Sequence, residues 1–393
     1  MSSAGMNFAL TEDQELIRRS VAELVRTFDD NYWMDKDQAH EFPMDFYRAI
    51  ADGGWLGMTI PPEYGGHGLG ITEATILLEE VAKSGGGMNA ASSIHLSIFG
   101  MQPVVVHGSE ELKARTLPPV ATGEVHVCFG VTEPGAGLDT SRITTFAKRD
   151  GDRYIVNGRK VWISKAMESD KILLLTRTQH YDEVVKKTDG MTLFLTDLDR
   201  NRVDIRPIRK MGRNAVGSNE LFIDNLEVPV EDRIGEEGKG FQYILDGLNP
   251  ERMLIAAEAL GVGRLALDRA VQYANEREVF GRPIGMNQGI QFPLADSLAR
   301  LDAAELMLRK ATWLYDNGEP CGREANTAKY LCADAGFDAA DRALQTHGGM
   351  GYAEEYHVAR YFREARLMKI VPISQEMILN FLGTHALKLP RSY

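Results

Sequence analysis

The chain has 393 residues, enough for two or three domains with substantial cores. It is 44% hydrophobic and 25% charged, an ordinary globular balance, and its formal net charge of −12 argues against a general nucleic-acid binder, which needs a basic face for phosphates. An anionic small ligand is still compatible, since a few arginines suffice to line one pocket. Cys128, Cys321 and Cys332 form neither a CxxC pair nor a metal set and fit a reducing compartment. The opening "MSSAGMNFALTEDQELIRRS" lacks the apolar core of a signal peptide, and no later run reaches membrane-spanning length. The expectation is a cytoplasmic protein with no membrane insertion.

Residues 1–120 read as helical. Thr11 and Gln14 form a capping box ahead of Leu16, Ile17, Val21, Leu24 and Val25, which repeat on one face. "PPEYGGHGLG" is a loop, and "ITEATILLEEVAKSGG" restarts a helix with a capping pattern from Thr72. Between 121 and 235 the pattern turns to β. "FAKRDGDRYIVNGRKVWIS" carries two tight-turn signals, Asp150-Gly151 and Asn157-Gly158. "KILLLTRT", "MTLFLTDL", "VDIRPI" and "ELFIDNLEVP" add four more short strands, which implies a compact barrel or sandwich. Helical periodicity returns over 236–393, with segments long enough to pack as an antiparallel bundle. The fold class is mainly α with a central β domain.

In "DGLNPERMLIAAEALGVG" (246–263), Asn249 and Pro250 read as a helix start. Glu251 and Arg252 would then form an acid–base pair at the mouth of a buried helix.

Four stretches, in register along nearly the whole chain, resemble the acyl-CoA dehydrogenase family. They are "CFGVTEPGAGLD" (128–139), "NGRKVWISKA" (157–166), "REVFGRPIGMNQGIQFPLAD" (277–296) and "QTHGGMGYAEEYHVARYFREAR" (345–366). "PPEYGGHGLG" and "MGRNAVGSNELFIDNLEVP" match weaker family patterns. The resemblance implies an N-terminal helical domain, a middle β domain and a C-terminal four-helix bundle, in a homotetramer or dimer. It also implies FAD between the β domain and the bundle, with the adenylate end reaching a neighbouring subunit.

On that resemblance, Phe129, Val131 and Thr132 line the flavin pyrimidine edge, Trp162 covers one ring face, and Ser164 places a hydroxyl near N5. Gly137, Leu138, Ile163 and Ser374 join the cofactor-binding set, with Leu138 standing where the family has a serine. Arg277, Phe280 and Gln288 match positions that reach FAD across the subunit interface. Gln345, Gly348, Gly349 and Gly351 match the loop that lets backbone approach the cofactor, and His347 reads as loop structure. Taken alone, Trp162 reads as a core tryptophan, Arg277 as a solvated surface arginine and "HGGMGY" as a helix-terminating loop.

The family removes the α-proton of an acyl-CoA thioester with a glutamate while the β-hydride passes to flavin N5. In most members that glutamate lies in a C-terminal "YEGT" motif; here Val371-Pro372-Ile373-Ser374 takes its place, and proline accepts no proton. A minority, the isovaleryl- and long-chain-like members, carries the base on the bundle's first helix in an "ERLxxA" motif, which "PERMLIA" resembles. Glu251 is therefore the expected base, with Arg252 beside it and Asn249 toward the pantetheine-adenosine portion of the substrate. Alone, Glu251 reads as a first-turn residue favoured by the helix dipole, and Glu376 is a rival base. Pro372 also lacks the N–H with which the family polarises the thioester carbonyl. An electron-transferring flavoprotein is the implied acceptor. The alternatives are a flavin oxidase on the same fold and a non-catalytic FAD-binding homologue.

Overall fold

The computed structural model describes residues 9–391, so the part of the leader reading that rests on residues 1–8 lies outside the described residues. The chain opens with seven helices: α1 (Glu12–Val25), α2 (Asp30–Ala39), α3 (Met44–Asp52), α4 (Ile71–Lys83), α5 (Gly87–Phe99), α6 (Gln102–His107) and α7 (Glu110–Ala121). α1 starts as its sequence dictates, with Gln14 N–H donating to Thr11 Oγ1 at 3.2 Å and Gln14 Oε1 accepting from Thr11 N–H at 3.0 Å. α4 does not start on Thr72. Its N-cap is Gly70, and the first-turn amides of Ile71 and Thr72 donate to Asp316, each at 2.9 Å. A carboxylate 245 positions away in sequence supplies the cap.

The middle of the chain forms β1 (Val127–Gly130), β2 (Phe146–Asp150), β3 (Arg153–Ser164), β4 (Lys171–Arg177), β5 (Met191–Asp197), β6 (Val203–Pro207), β7 (Ser218–Pro229) and β8 (Arg233–Ile234). The order is β6-β7-β3-β2-β4-β5-β8, with β1 parallel to β4. The β2–β4 link is the single pair Phe146↔Arg177, so the sheet divides there into two leaves. The apolar run of β4 is buried on both sides. Ile172 and Leu174 pack into the β core with Tyr154, Val156 and Phe194, while Leu173 and Leu175 face Val104, Leu112 and Leu117 of the helical layer.

Asp150-Gly151 turns as expected between β2 and β3, where Asp150 pairs with Arg153. Asn157-Gly158 does not. It lies inside β3 as a register shift against β7, where an added Cβ at Gly158 would come within 2.4 Å of Thr145 Oγ1. That glycine serves close approach of chain to chain rather than a hairpin turn.

Two short strands, β9 (Glu278–Val279) and β10 (Arg282–Pro283), separate the first two bundle helices. The bundle comprises α8 (Gly240–Glu276), α9 (Gln288–Asp316), α10 (Gly322–His347) and α11 (Val358–Met368), followed by α12 (Gln375–Phe381). α8 is 37 residues long, so Asn249 and Pro250 are interior to it and Glu251 lies about three turns from its start. The expected helix start at Asn249 is thus wrong. Pro250 lacks only the N–H that would have met the Asp246 carbonyl, and burial of the residues on both sides carries the helix through it. α8 and α10 touch at glycines: an added Cβ at Gly263 would stand 2.8 Å from Gly336 Cα. The same buried cluster runs from Trp33 and Phe46 through Leu254 and Leu260 to Ala333, joining both helical regions into one core.

Candidate active site

The segment after β1 is held by a buried ion pair. Lys160 Nζ donates to Glu133 Oε1 at 2.8 Å and to the carbonyls of Val131 at 3.1 Å and Leu175 at 2.7 Å. Glu133 also accepts from the Thr144 and Thr145 amides at 2.6 and 3.0 Å. Burial disfavours both charges, yet Lys160 and the amide donors hold the Glu133 carboxyl below its usual pKa. Val131 and Thr132 are thereby presented on a rigid edge. Phe129 is half-buried, while Thr132, Gly137 and Leu138 are exposed.

A second register shift in β3, between Lys160 and Ile163, turns Trp162 outward. Trp162 has φ 64° and is 57% exposed, which removes the core-tryptophan reading. Ile163 points its side chain into the β core, leaving only its backbone for a ligand. Ser164 Oγ accepts from Arg213 Nη2 at 3.2 Å, and the same nitrogen donates to Ser218 Oγ at 2.8 Å.

The carboxylate of Glu251 has no hydrogen-bond or ion-pair partner among the described residues. Burial raises its pKa from the ordinary 4.5 to about 7, His95 and Arg252 temper the rise, and Glu258 adds to it. Glu251 keeps some accessible surface, as a base that must meet a substrate requires. Arg252 Nη1 donates to Asn249 Oδ1 at 2.8 Å, and its Nε is buried without a partner. These two expected substrate-side residues therefore hold each other one turn apart. Seven residues past Glu251, the buried Glu258 lies 2.7 Å from His95 Nδ1. The tilted rings of His95 and Phe99 lie 5.1 Å apart and those of Phe99 and Phe129 5.8 Å apart, linking Glu258 of α8 to the β1 edge.

Arg277, Phe280 and Gln288 are all exposed, Phe280 completely. Arg277 follows Glu251 by 26 residues of α8, about 39 Å of helix rise, so within one chain these residues do not join the Glu251 cluster. Gln345 is exposed near the end of α10. His347, expected in the loop, is instead the last residue of α10, stacked on Tyr273 at 4.2 Å. An added Cβ at Gly348 or Gly349 would meet nothing within 4 Å, whereas at Gly351 it would stand 2.3 Å from the Leu344 carbonyl. The first two leave open room for a close ligand; the third packs the loop on its own helix.

At the expected "YEGT" position, Lys329 Nζ donates to the Ile373 carbonyl at 2.7 Å, and Ser374 Oγ caps α12 through Met377 N–H at 3.3 Å. Glu376 is exposed in the first turn of α12, where backbone amides and Ser374 hold its pKa below the ordinary value. Glu376 therefore lacks the desolvation that raises a carboxylate toward neutral pH, unlike Glu251.

Family models for acyl-CoA dehydrogenase match the chain at residues 11–124 (N-terminal domain), 128–226 (middle domain) and 238–387 (C-terminal domain). The chain belongs to the acyl-CoA dehydrogenase family. It is 36% identical to acyl-CoA dehydrogenase FadE12 of Mycobacterium tuberculosis over 98% of this chain and 99% of that protein. A 3-(aryl)acrylate reductase of Clostridium sporogenes is 34% identical over 96% and 99%. Among solved structures, a glutaryl-coenzyme A dehydrogenase complex superposes with a TM-score of 0.93 at 30% identity, covering 98% of each chain. Butyryl-CoA dehydrogenase of Megasphaera elsdenii gives 0.92 at 29% identity, covering 97% of this chain and all of that one. The family is one of oxidoreductases that use FAD and act on acyl-CoA. No described helix of this acyl-CoA dehydrogenase is long and apolar enough to cross a membrane.

Three residues of the site escape a sequence reading: His95, Arg213 and Glu258. Glu258 carried a signal, since a seven-residue spacing repeats a helix face. Arg213 lay inside a matched pattern, and His95 had none.

Proposed function

We propose that this acyl-CoA dehydrogenase oxidises an acyl-CoA thioester to the trans-2-enoyl-CoA, with Glu251 as the base that takes the α-proton. The observation that carries the reading is the Glu251 carboxylate itself: partly accessible, unpartnered, and raised to a pKa of about 7, as a base poised near neutral pH requires. No described carboxylate competes at the 371–374 loop, where the chain has Val, Pro, Ile and Ser. Arg252 and Asn249 would bind the polar part of the substrate.

The residues present fit FAD. An outward-turned Trp162, the rigid Val131–Thr132 edge and the Ser164 hydroxyl line one side, and the open Gly348–Gly349 loop, which follows Gln345 at the far end of α10, would offer backbone to the phosphates of a second copy's cofactor. When bound, FAD supplies the acceptor of the β-hydride. Phe129, Gly137, Leu138 and the Ile163 backbone would complete the near side. Arg277, Phe280, Gln288 and Gln345 would act on the cofactor of a second copy, because they cluster at the far end of α8, the α8–α9 connection and the end of α10, away from Glu251. A homo-oligomer follows from that, a tetramer or a dimer. Two-electron reoxidation by an electron-transferring flavoprotein completes the cycle.

The test is anaerobic stopped-flow mixing with a panel of acyl-CoAs, following loss of flavin absorbance. Substrate-dependent bleaching, with reduction of an electron-transferring flavoprotein exceeding hydrogen peroxide release in air, is the expected result. No bleaching with any acyl-CoA would overturn it.

A further inference from the structure

His95 of α5 is the sole donor to Glu258 among the described residues; Oε2 of the same carboxylate is buried with none. Both residues are buried, at 7% and 0% exposure, and the His95 ring is wedged against Phe99. Nε2 has no hydrogen-bond partner among the described residues. A buried carboxylate with one donor favours that donor in its charged form. Glu258 repeats the α8 face of Glu251 two turns on, so an imidazolium held there acts on both carboxylates.

We infer that His95, locked by Glu258, is a positioning residue for the base: its buried positive charge keeps the Glu251 carboxylate in the proton-accepting form. The inference rests on Glu251 being the base. The charged and titratable groups facing this part of α5 from the elements packed against it include Arg252 on α8, Arg213 ahead of β7, Lys165 at the end of β3, Tyr47 on α3 with His126 stacked on it, Asp37 on α2 and Glu364 on α11. Lys165 Nζ reaches the Ser93 carbonyl at 3.4 Å, Tyr47 hydroxyl the Ser97 hydroxyl at 3.4 Å, and Glu364 the Asn89 amide at 2.8 Å. Burial and Arg213 oppose the charge on His95, while Glu258 and Glu251 outweigh them and leave its pKa raised.

Linkage makes the coupling reciprocal, which gives two independent readouts. In holoprotein carrying 13Cε1-labelled histidine, the His95 resonance is the one that His95→Gln removes. Glu251→Gln is expected to lower the pH at which this resonance titrates by about one unit, and His95→Gln to raise the acid limb of flavin reduction by about the same. Flavin absorbance and far-ultraviolet dichroism should be unchanged. A resonance that titrates identically with and without the Glu251 charge, or a rate that falls equally at every pH, would overturn the inference. Should His95→Gln lose flavin, Glu258→Gln provides the second route: the His95 resonance must titrate at lower pH, and an unmoved resonance rejects the lock. A shifted resonance together with wild-type flavin reduction in Glu251→Gln would leave the coupling intact and remove Glu251 as the base.

Discussion

Glu251 and Glu258 stand seven residues apart on one face of α8, and among the described residues only Glu258 has a protein partner. The unpartnered one is the carboxylate free to take a proton from a ligand. Glu251→Gln removes the acceptor and keeps the shape. Flavin reduction by acyl-CoA is expected to slow by about 10²–10⁴-fold with FAD still bound. Stopped-flow absorbance measures it, and reduction at the wild-type rate would exclude Glu251.

A base with a pKa of about 7 has its working form above that pH. The rate of flavin reduction should rise with pH, level off above about 7, and fall roughly tenfold per unit below. Stability runs the other way. The folded pKa lies above the unfolded 4.5, so the native state binds the extra proton between pH 4.5 and 7 and loses stability as pH rises through that window. Glu251→Gln is therefore expected to stabilise the protein by about 3 kcal/mol at pH 8 and by little at pH 4.5. Urea unfolding at the two pH values checks this; equal shifts at both would count against it.

The Glu133–Lys160 pair anchors the Val131–Thr132 edge from inside the β domain. Glu133→Ala strands a buried ammonium and should cost about 3–5 kcal/mol. Glu133→Leu combined with Lys160→Met removes both charges and is expected to recover most of that loss. Chemical denaturation of the three proteins gives the comparison, and a double variant as unstable as the single would refute the ion-pair account.

Gly349 and Gly351 sit two residues apart in one loop but answer to different constraints. Gly349→Ala meets open space and should leave the melting temperature of the FAD-free protein unchanged while weakening FAD retention at least tenfold, about 1.4 kcal/mol. Gly351→Ala forces a Cβ toward the Leu344 carbonyl and should lower the melting temperature itself. Thermal unfolding and flavin titration separate the two; a matching pair of profiles would contradict the reading.

Much of the fold was legible locally. The Thr11–Gln14 capping box works within four residues, and "KILLLTRT" reads as the strand that β4 is. Signals that depend on remote partners misled. Thr72 looked like a cap until Asp316 arrived from α9, Asn157-Gly158 looked like a turn until Thr145 crossed it, and Pro250 looked like a helix start inside a 37-residue helix. At the candidate site, Glu251 was legible because its motif is contiguous. His95 was not, because it meets Glu258 across 163 positions of sequence.

By itself, then, the amino-acid order determined the helix–strand–helix plan, since periodicity and turn chemistry act over a few residues. Its contiguous motifs also marked the family. Only the tertiary structure decided which carboxylate of α8 stays unpartnered among the described residues, which tryptophan faces outward and which glycines border open space. Those outcomes depend on desolvation and on contacts between distant segments, and neither exists until the chain is packed.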